Sequence, residues 1–127
     1  MLLEEMVHAF WRDSTALCTA IPPERFFTDT AIIPCVPCVV YVHEKTEILL
    51  HSNRAEPWKK IGLRFEIHHT TFEEGVVIAR LVETNFDRLR LNEPGGNWSY
   101  LFRLIQSEDK IPEEKAWKFI RRFRLIG

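Results

Sequence analysis

The sequence contains no run of apolar residues approaching the roughly 20 that a membrane-spanning helix needs. Its start carries the acidic residues Glu4 and Glu5, where a secretory signal would carry basic ones. The three cysteines, Cys18, Cys35 and Cys38, are an odd number in a chain without an export signal. We therefore expect a chain made in the cytoplasm, with reduced thiols and no membrane association.

The sequence also has no large excess of positive or of negative residues. The 17 Lys and Arg residues nearly balance the 18 Asp and Glu residues, which leaves a formal net charge of −1. No global basic field therefore draws the protein to DNA, RNA or an anionic membrane, and any contact with nucleic acid would have to be local.

Apolar residues, by contrast, are plentiful. They make up 46% of the 127 residues, and charged residues make up 28%, which is ordinary for a globular protein. A chain of this length can bury one core, and no internal repeat or low-complexity stretch divides it. We expect a single domain over residues 1–127.

The first 20 residues have the spacing of an amphipathic helix. Apolar residues recur at intervals of three and four, with Ser14 as the weak point of the apolar face. Glu4 and Glu5 in the first turn suit the positive end of the helix dipole. The Ile-Pro-Pro sequence at 21–23 predicts the end of the helix, because a residue before proline avoids the helical region.

The next part of the chain predicts a long hairpin. A short extended patch at 25–28 precedes a stretch rich in β-branched and aromatic residues, which runs from Cys38 to about Leu50. Residues 51–57 form a polar connector, which we interpret as a mobile hairpin tip. Apolar residues then alternate with polar ones from Ile61 to Ile67, which predicts a strand with one buried face.

A second helix follows the hairpin. Thr71 and Glu74 have the spacing of a capping box, with a hydroxyl at the N-cap and a glutamate three residues later. An apolar stripe from Ile78 to Leu89 has helical spacing. Proline and paired glycines at 92–97 predict where the helix stops.

The last third of the sequence predicts two more strands. Residues 98–105 indicate a strand and residues 106–114 a polar turn. Residues 115–127 fit either a strand or a helix opened by the Pro-Glu-Glu sequence at 112–114. Their aromatic content and alternation favour the strand.

These elements together predict an α+β fold. The economical arrangement is an antiparallel (mixed) four- to five-stranded sheet with two helices packed on one face, because each amphipathic helix needs an apolar surface to cover. The opposite face of the sheet would be polar and would carry Lys60, Arg64, Glu66, Arg122 and Arg124.

Cys35-x-x-Cys38 is the one spacing that invites metal or redox chemistry. A closed zinc site needs four ligands, and the chain has no second pair of that kind. A redox dithiol usually opens a helix, which lowers the pKa of the first thiol, whereas Cys38 precedes a strand. We interpret the two cysteines as incidental, with metal binding as the main alternative, and we expect no cofactor.

No catalytic constellation stands out. His68 and His69 are neighbours at the end of a strand and point to opposite faces, so they cannot easily hold one ion together. We expect capping or surface roles for them. The remaining histidines are isolated, and no Ser or Cys nucleophile lies in a recognisable turn, so we do not expect an enzyme.

The C-terminal segment is the best candidate for contact with nucleic acid. Five basic residues between Lys115 and Arg124 are interleaved with Trp117, Phe119 and Phe123. Basic side chains can contact phosphates, and aromatic rings can stack on bases. The alternation would, however, bury the aromatic rings and leave a basic stripe that suits an acidic partner. A small nucleic-acid- or zinc-binding regulatory module thus remains the alternative function.

Four short segments, taken in order, carry a resemblance to a known family. They are Pro37–Tyr41, the strand-to-helix junction at 63–74, the helix at 79–89 and the basic and aromatic strand at 117–125. Together they resemble the tail-completion (tail-terminator) family of long-tailed phages and prophages. The chain departs from the family pattern at Cys35 and Cys38 and in its long segment at 98–114.

The resemblance implies a structural protein of the virion, made in the bacterial host cytoplasm and placed at the head-proximal end of the tail. Such proteins form a ring, typically hexameric, that ends the tail tube and offers a head–tail joining surface, and they can be monomeric in isolation. The implied partners are other copies of the chain, the major tail tube protein and head–tail connector proteins. DNA would pass through the ring without specific recognition.

A ring of this kind needs a heterologous interface that closes on itself. Exposure and charge predict two candidate regions, the hairpin tip and the charged sheet face. The residues in question are His51, Asn53, Arg54, Trp58, Arg64, Glu66, Arg122 and Arg124.

Overall fold

The computed structural model describes residues 3–28, 36–49, 58–92, 99–112 and 116–126. The helices are α1 (Leu3–Asp13), α2 (Thr15–Ala20) and α3 (Phe72–Phe86), with a 3-10 turn at Pro23–Arg25. The strands are β1 (Phe26–Thr28), β2 (Cys38–Leu49), β3 (Trp58–His69), β4 (Arg90–Asn92), β5 (Ser99–Pro112) and β6 (Trp117–Ile126).

The strands form one sheet in the order β1-β2-β3-β6-β5-β4. Every neighbouring pair is antiparallel except β1 and β2, which run parallel. The predicted α+β class with a mixed sheet is therefore confirmed. The predicted strand number of four to five is wrong, because the described residues form six strands, of which β1 and β4 are edge strands of three residues each.

The core lies between the helices and one face of the sheet. The alternation on β3 is confirmed, since Ile61, Leu63, Phe65 and Ile67 are all at most 6% exposed. Apolar residues of all three helices join this cluster, so the described helices share one face of the sheet. That arrangement leaves the other face for the polar side chains of the strands.

The first predicted helix is two helices in the structure. The break falls at Ser14, whose Oγ accepts a hydrogen bond from the Leu17 backbone N–H at 3.3 Å and so caps α2. Trp11 Nε1 donates to the Ile21 carbonyl at 2.9 Å and holds the end of α2 against α1. The serine that weakened the apolar stripe is thus the residue that starts a new helix.

The capping box predicted at the start of α3 is wrong. Thr71 is the N-cap residue, but its side chain makes no capping hydrogen bond. Its backbone N–H instead donates to His69 Nδ1 at 3.0 Å. The Glu74 carboxylate lies 3.2 Å from His69 Nε2, so this imidazole occupies both partners that the capping box would have joined.

Helix α3 ends at Phe86, before the predicted stop at 92–97. Arg88 has a positive φ of 67°, which an α-helix cannot continue through. The backbone N–H of Arg88 donates to the Phe102 carbonyl at 2.8 Å, and Asp87 Oδ1 accepts from the Leu104 N–H at 2.9 Å. Hydrogen bonds to β5 therefore replace the last predicted helical turn. Residues 93–98 lie outside the described residues.

Strand β5 runs through most of the predicted turn at 106–114. Two irregularities in its pairing with β6, at 104/106 and at 108/111, let the polar stretch stay in the sheet. The prediction of a turn failed because polarity at this edge reflects solvent and ion pairs, not a change of chain direction. The predicted strand in the C-terminal segment is confirmed as β6.

Arg121 is the exception to the apolar face of β6. It points to the core side with Phe119 and Phe123 and is only 2% exposed. Its guanidinium lies 2.7 Å from Glu83 of α3 and donates to Asp109 of β5 at 2.6 Å. A buried cation thus joins three elements, α3, β5 and β6, through two carboxylates.

Candidate assembly interface

The face of the sheet opposite the helices is called the outer face below. The register of the strands assigns to it Cys38, Val40, Val42, Lys45 and Glu47 of β2, Lys60, Gly62, Arg64, Glu66 and His68 of β3, Leu101, Arg103, Gln106 and Glu108 of β5, and Lys118, Ile120, Arg122, Arg124 and Ile126 of β6, together with Glu44 at a β2 bulge. Three zones follow one another along it.

The central zone is an ion-pair network. Arg64 and Arg122 are direct register partners, an arrangement of like charges that destabilises a sheet unless something neutralises it. Glu44 supplies that neutralisation, since its carboxylate lies 3.2 Å from Arg64 Nη1 and 3.5 Å from Arg122 Nε. Glu44 can reach both because the bulge between His43 and Lys45 turns it out of the strand's regular alternation.

Two further carboxylates complete the network on either side. Arg64 Nε donates to Glu66 Oε2 at 2.6 Å, and Arg122 Nη1 donates to Glu108 Oε1 at 2.6 Å. Gln106 also donates to Glu108, at 2.9 Å. Each arginine is therefore held between two acids, and the network fixes the orientation of side chains that are between a seventh and two fifths exposed.

Glu66 has the most strongly altered acidity of this zone. Its pKa is lowered to about 2, chiefly by its hydrogen-bonding interaction with His68. Burial of the carboxyl opposes the lowering, and the hydrogen bond and charge of Arg64 reinforce it. The pKa of Arg64 is raised: burial acts against its charge, but Glu66 and Glu44 outweigh burial. The pair is therefore ionised at any physiological pH.

The second zone, where β2 begins, is closed to solvent. Cys38, Val40, His68 and Ile120 are each at most 6% exposed. His68 was expected in a surface or capping role and is instead buried on the outer face. His69 is on the helix side, where it caps α3, so the expectation that the two rings point to opposite faces is confirmed.

The third zone lies at the other end of β3 and is open and basic. Arg103 and Arg124 are exposed register partners on β5 and β6. Neither makes an ion pair within the part of the chain that the structure describes. Gly62 lies beside Arg124 on β3, and Ile126, one of the exposed large apolar residues, is 40% exposed next to them.

The predicted interface residues divide into two groups. Arg64, Glu66, Arg122 and Arg124 share the outer face, the first three in the network and Arg124 in the basic zone. His51, Asn53 and Arg54 lie outside the described residues, as does the side chain of Trp58, whose backbone begins β3. Sequence reasoning missed Glu44, Glu108 and Arg103; the alternation of β5 could have indicated Arg103, but nothing local signals the bulge at Glu44.

A cleft of about 420 Å³ opens near the opposite edge of the sheet, between α1 and β1. It is lined by Glu4, Glu5, His8, Ala9, Arg12 and Thr28. Glu4 makes no ion pair with any described residue. The Nε2 atom of His8 lies 3.3 Å from the Pro23 carbonyl oxygen, a contact that orients the ring.

Only one of the two cysteines considered for metal binding lies among the described residues. Cys38 is buried beside its register partner His68, and Cys35 lies outside the described residues. Among the residues that are described, no three or more His, Cys, Asp or Glu side chains group closely enough to hold a metal ion. None of the described helices is long and apolar enough to cross a membrane.

Comparison with solved structures finds this fold in a chain of the structure described as "Virion of native gene transfer agent (GTA) particle". The two share 10% sequence identity with a TM-score of 0.73, over 98% of this chain and 92% of that chain. No family model and no curated protein sequence matches. At this identity the likeness establishes a shared fold along almost the whole chain.

Proposed function

We propose that this chain is a structural protein of a phage or phage-like virion, and more narrowly a tail-completion (tail-terminator) subunit. The observation that carries the proposal is the fold shared with a gene transfer agent virion, a phage-like particle, over nearly the full length of both chains. The residue-level resemblance at Pro37–Tyr41 and along β6 supports the narrower assignment. The two arguments are independent, since one rests on backbone geometry and the other on sequence.

In this role the protein acts by assembly and not by catalysis. Copies of the chain would form a ring, hexameric as in the family it resembles, on the head-proximal end of the tail tube. A cyclic ring has two different faces, so one can bind the major tail tube protein and the other the head–tail connector proteins. The chain can be monomeric before it meets the tail.

The outer face is the proposed interface region. Its network holds charged side chains in fixed positions, and fixed charges favour register and partner choice more than raw affinity. A face of this kind suits a subunit that must stop at one ring and not continue into a filament. The hairpin tip at 51–57 remains a second candidate from the sequence.

The alternative of a nucleic-acid-binding strand loses support from the contacts of β6. Arg121 is buried against Glu83 and Asp109, and Arg122 is neutralised by Glu108 and Glu44. The basic stripe predicted for this strand is thus reduced mainly to Lys118 and Arg124. We therefore do not propose a nucleic-acid-binding module.

The direct test uses purified tail tubes and the full-length chain. Electron microscopy with a gold label on the chain should show label at one end of each tube, and added chain should stop further tube growth. Label spread along the tube wall, or continued growth at the labelled end, would contradict tail completion. A capped tube that recruits filled heads would support the joining role.

A further inference from the structure

The basic zone of the outer face, defined by Arg103 and Arg124, has an excess of positive charge that no other described residue neutralises. Arg64 and Arg122 oppose each other across β3 and β6 and are neutralised by three glutamates. Arg103 and Arg124 oppose each other in the same way across β5 and β6, yet no carboxylate among the described residues reaches them. Two exposed like charges side by side favour the binding of an acidic group from outside.

The surroundings of these arginines fit a protein better than a phosphate backbone. Ile126 and half-buried Leu101 are register partners immediately beside the pair, and Gly62, the register partner of Arg124 on β3, has no side chain that could cover it. Arginine beside apolar surface is typical of protein interfaces. A nucleic-acid track would need an unbroken series of basic residues, whereas Glu44, Glu66 and Glu108 lie among the basic side chains of this face.

The chain itself carries an acidic cleft at the other edge of the sheet. Glu4 and Glu5 line this opening between α1 and β1 together with His8, Arg12 and Thr28, and the Arg12 guanidinium lies 3.4 Å from the Asp13 carboxylate. The basic zone is formed by β3, β6 and β5, while the cleft borders β1, at the far end of the strand order. One subunit therefore offers opposite charges at two different places.

We propose that the basic zone of one copy, Arg103 and Arg124 with Ile126, docks against the Glu4 and Glu5 cleft of a second copy. Because the two surfaces differ and lie toward opposite edges of the sheet, the contact is heterologous and each copy can use both at once. The proposal rests on the ring-forming function proposed above and assigns the contact that joins neighbouring subunits. It leaves the central network, which lies beside the basic zone on the same outer face, as the support that holds β3 and β6 together.

The experiment measures assembly of the full-length chain by mass photometry over rising concentration. The double variant Arg103→Glu/Arg124→Glu and the double variant Glu4→Arg/Glu5→Arg should each raise the midpoint concentration of assembly by about tenfold or more. The four changes combined should restore the midpoint to within about threefold of the wild type. Arg80→Glu is the matched control, since Arg80 is exposed on α3 without an ion pair among the described residues.

Four results would overturn this contact, three of them in the assembly experiment. Those three are wild-type assembly by the Arg103→Glu/Arg124→Glu variant, failure of the combined changes to restore assembly while urea unfolding shows a folded chain, and a wild type that stays monomeric both alone and on tail tubes. Arginine-dependent binding of a DNA oligonucleotide at 0.15 M salt, with assembly unaffected, would assign the zone to phosphate and also overturn it.

Failure of the contact and failure of the proposed function remain distinguishable. A charge variant that assembles normally and still caps tail tubes removes the contact and keeps the function. A wild type that assembles through these residues but ignores tail tubes supports the contact and removes the function.

Discussion

At the scale of single residues, the close approach of α3 to β6 depends on Gly75. A Cβ atom at this position would lie 2.1 Å from Cε2 and 2.7 Å from Cζ of Phe119, which is fully buried. No signal in the sequence marks this contact, because it joins two segments more than 40 residues apart. It belongs to the part of the fold that depends on packing and not on local pattern.

We expect Gly75→Ala to destabilise the protein. Forcing the Phe119 ring to move costs about 1–3 kcal/mol, against which the better helix propensity of alanine returns about 1 kcal/mol. Urea denaturation should therefore show a net loss of about 1 kcal/mol or more. Gly62→Ala is the control, since the nearest atom to its added Cβ is 3.8 Å away. Equal unfolding midpoints for the two variants would contradict the argument.

Glu66 gives a prediction about acid stability. Its folded pKa of about 2 lies below its ordinary value of 4.5. A lowered carboxyl pKa adds stability that is complete above the ordinary pKa and is lost as the pH falls through the folded value. The stability that ionised Glu66 contributes is therefore lost between about pH 4.5 and pH 2. Since water reaches part of this face, we expect the contribution to be about 1–2 kcal/mol.

The variant Glu66→Gln should flatten the stability curve in that window, measured as the unfolding free energy at pH 5 and pH 2.5. Glu24→Gln, an exposed change outside the network, should follow the wild-type curve. A Glu66→Gln curve that falls as steeply as the wild type would assign the acid sensitivity to other groups.

At the scale of elements, Arg121 joins α3, β5 and β6. Glu83 and Asp109 hold its charge, and their side chains are 31% and 41% exposed. Removing both carboxylates leaves a buried guanidinium without its counter-charges, which is more costly than losing the whole group. The partial exposure of the acids limits the effect.

We expect Glu83→Gln/Asp109→Asn to lower the unfolding free energy by about 2 kcal/mol. Adding Arg121→Met to that background should recover part of the loss, because it removes the uncompensated charge and keeps the volume. Thermal and urea unfolding of the double and triple variants would measure both steps. A triple variant that is less stable than the double would show that packing of the arginine, not its charge, is the main contribution.

Many of the helices and strands could be predicted from the sequence. The alternation from Ile61 to Ile67 and the aromatic spacing of β6 are local signals, and both strands are present. The short extended patch predicted at 25–28 is present as β1, but its pairing with β2, the edge strand β4 and the length of β5 could not be predicted, because each depends on a distant partner in the sheet. The cap of α3 was missed because the His69 ring, and not the Thr71 hydroxyl, makes the hydrogen bond. The same holds for the candidate interface, where Arg64, Glu66 and Arg122 were expected but their shared carboxylate Glu44 was not.

At the scale of the whole molecule, a contact through Arg103 and Arg124 should depend on salt. The Debye length falls from about 10 Å at 0.1 M salt to about 3 Å at 1 M, so exposed charges of different subunits attract less strongly. We expect the assembly midpoint to move to higher concentration over this range while the melting temperature changes little. Mass photometry and differential scanning fluorimetry at both salt concentrations would measure this. Assembly that strengthens with salt would indicate an apolar contact instead.

The bulge at Glu44 also divides β2 into two halves of opposite parity. Before it, the odd-numbered Val39 and Tyr41 face the core, and after it the even-numbered Thr46 pairs with Ile61 on that side. The hydrogen-bonding contact between Thr46 and His43, 2.7 Å apart, reflects this shift of phase. Removal of Glu44 alone would therefore leave the same residues of both halves of β2 directed to the core. The sheet would lose the carboxylate that lies between two arginines, but it would keep its pattern of buried and exposed residues.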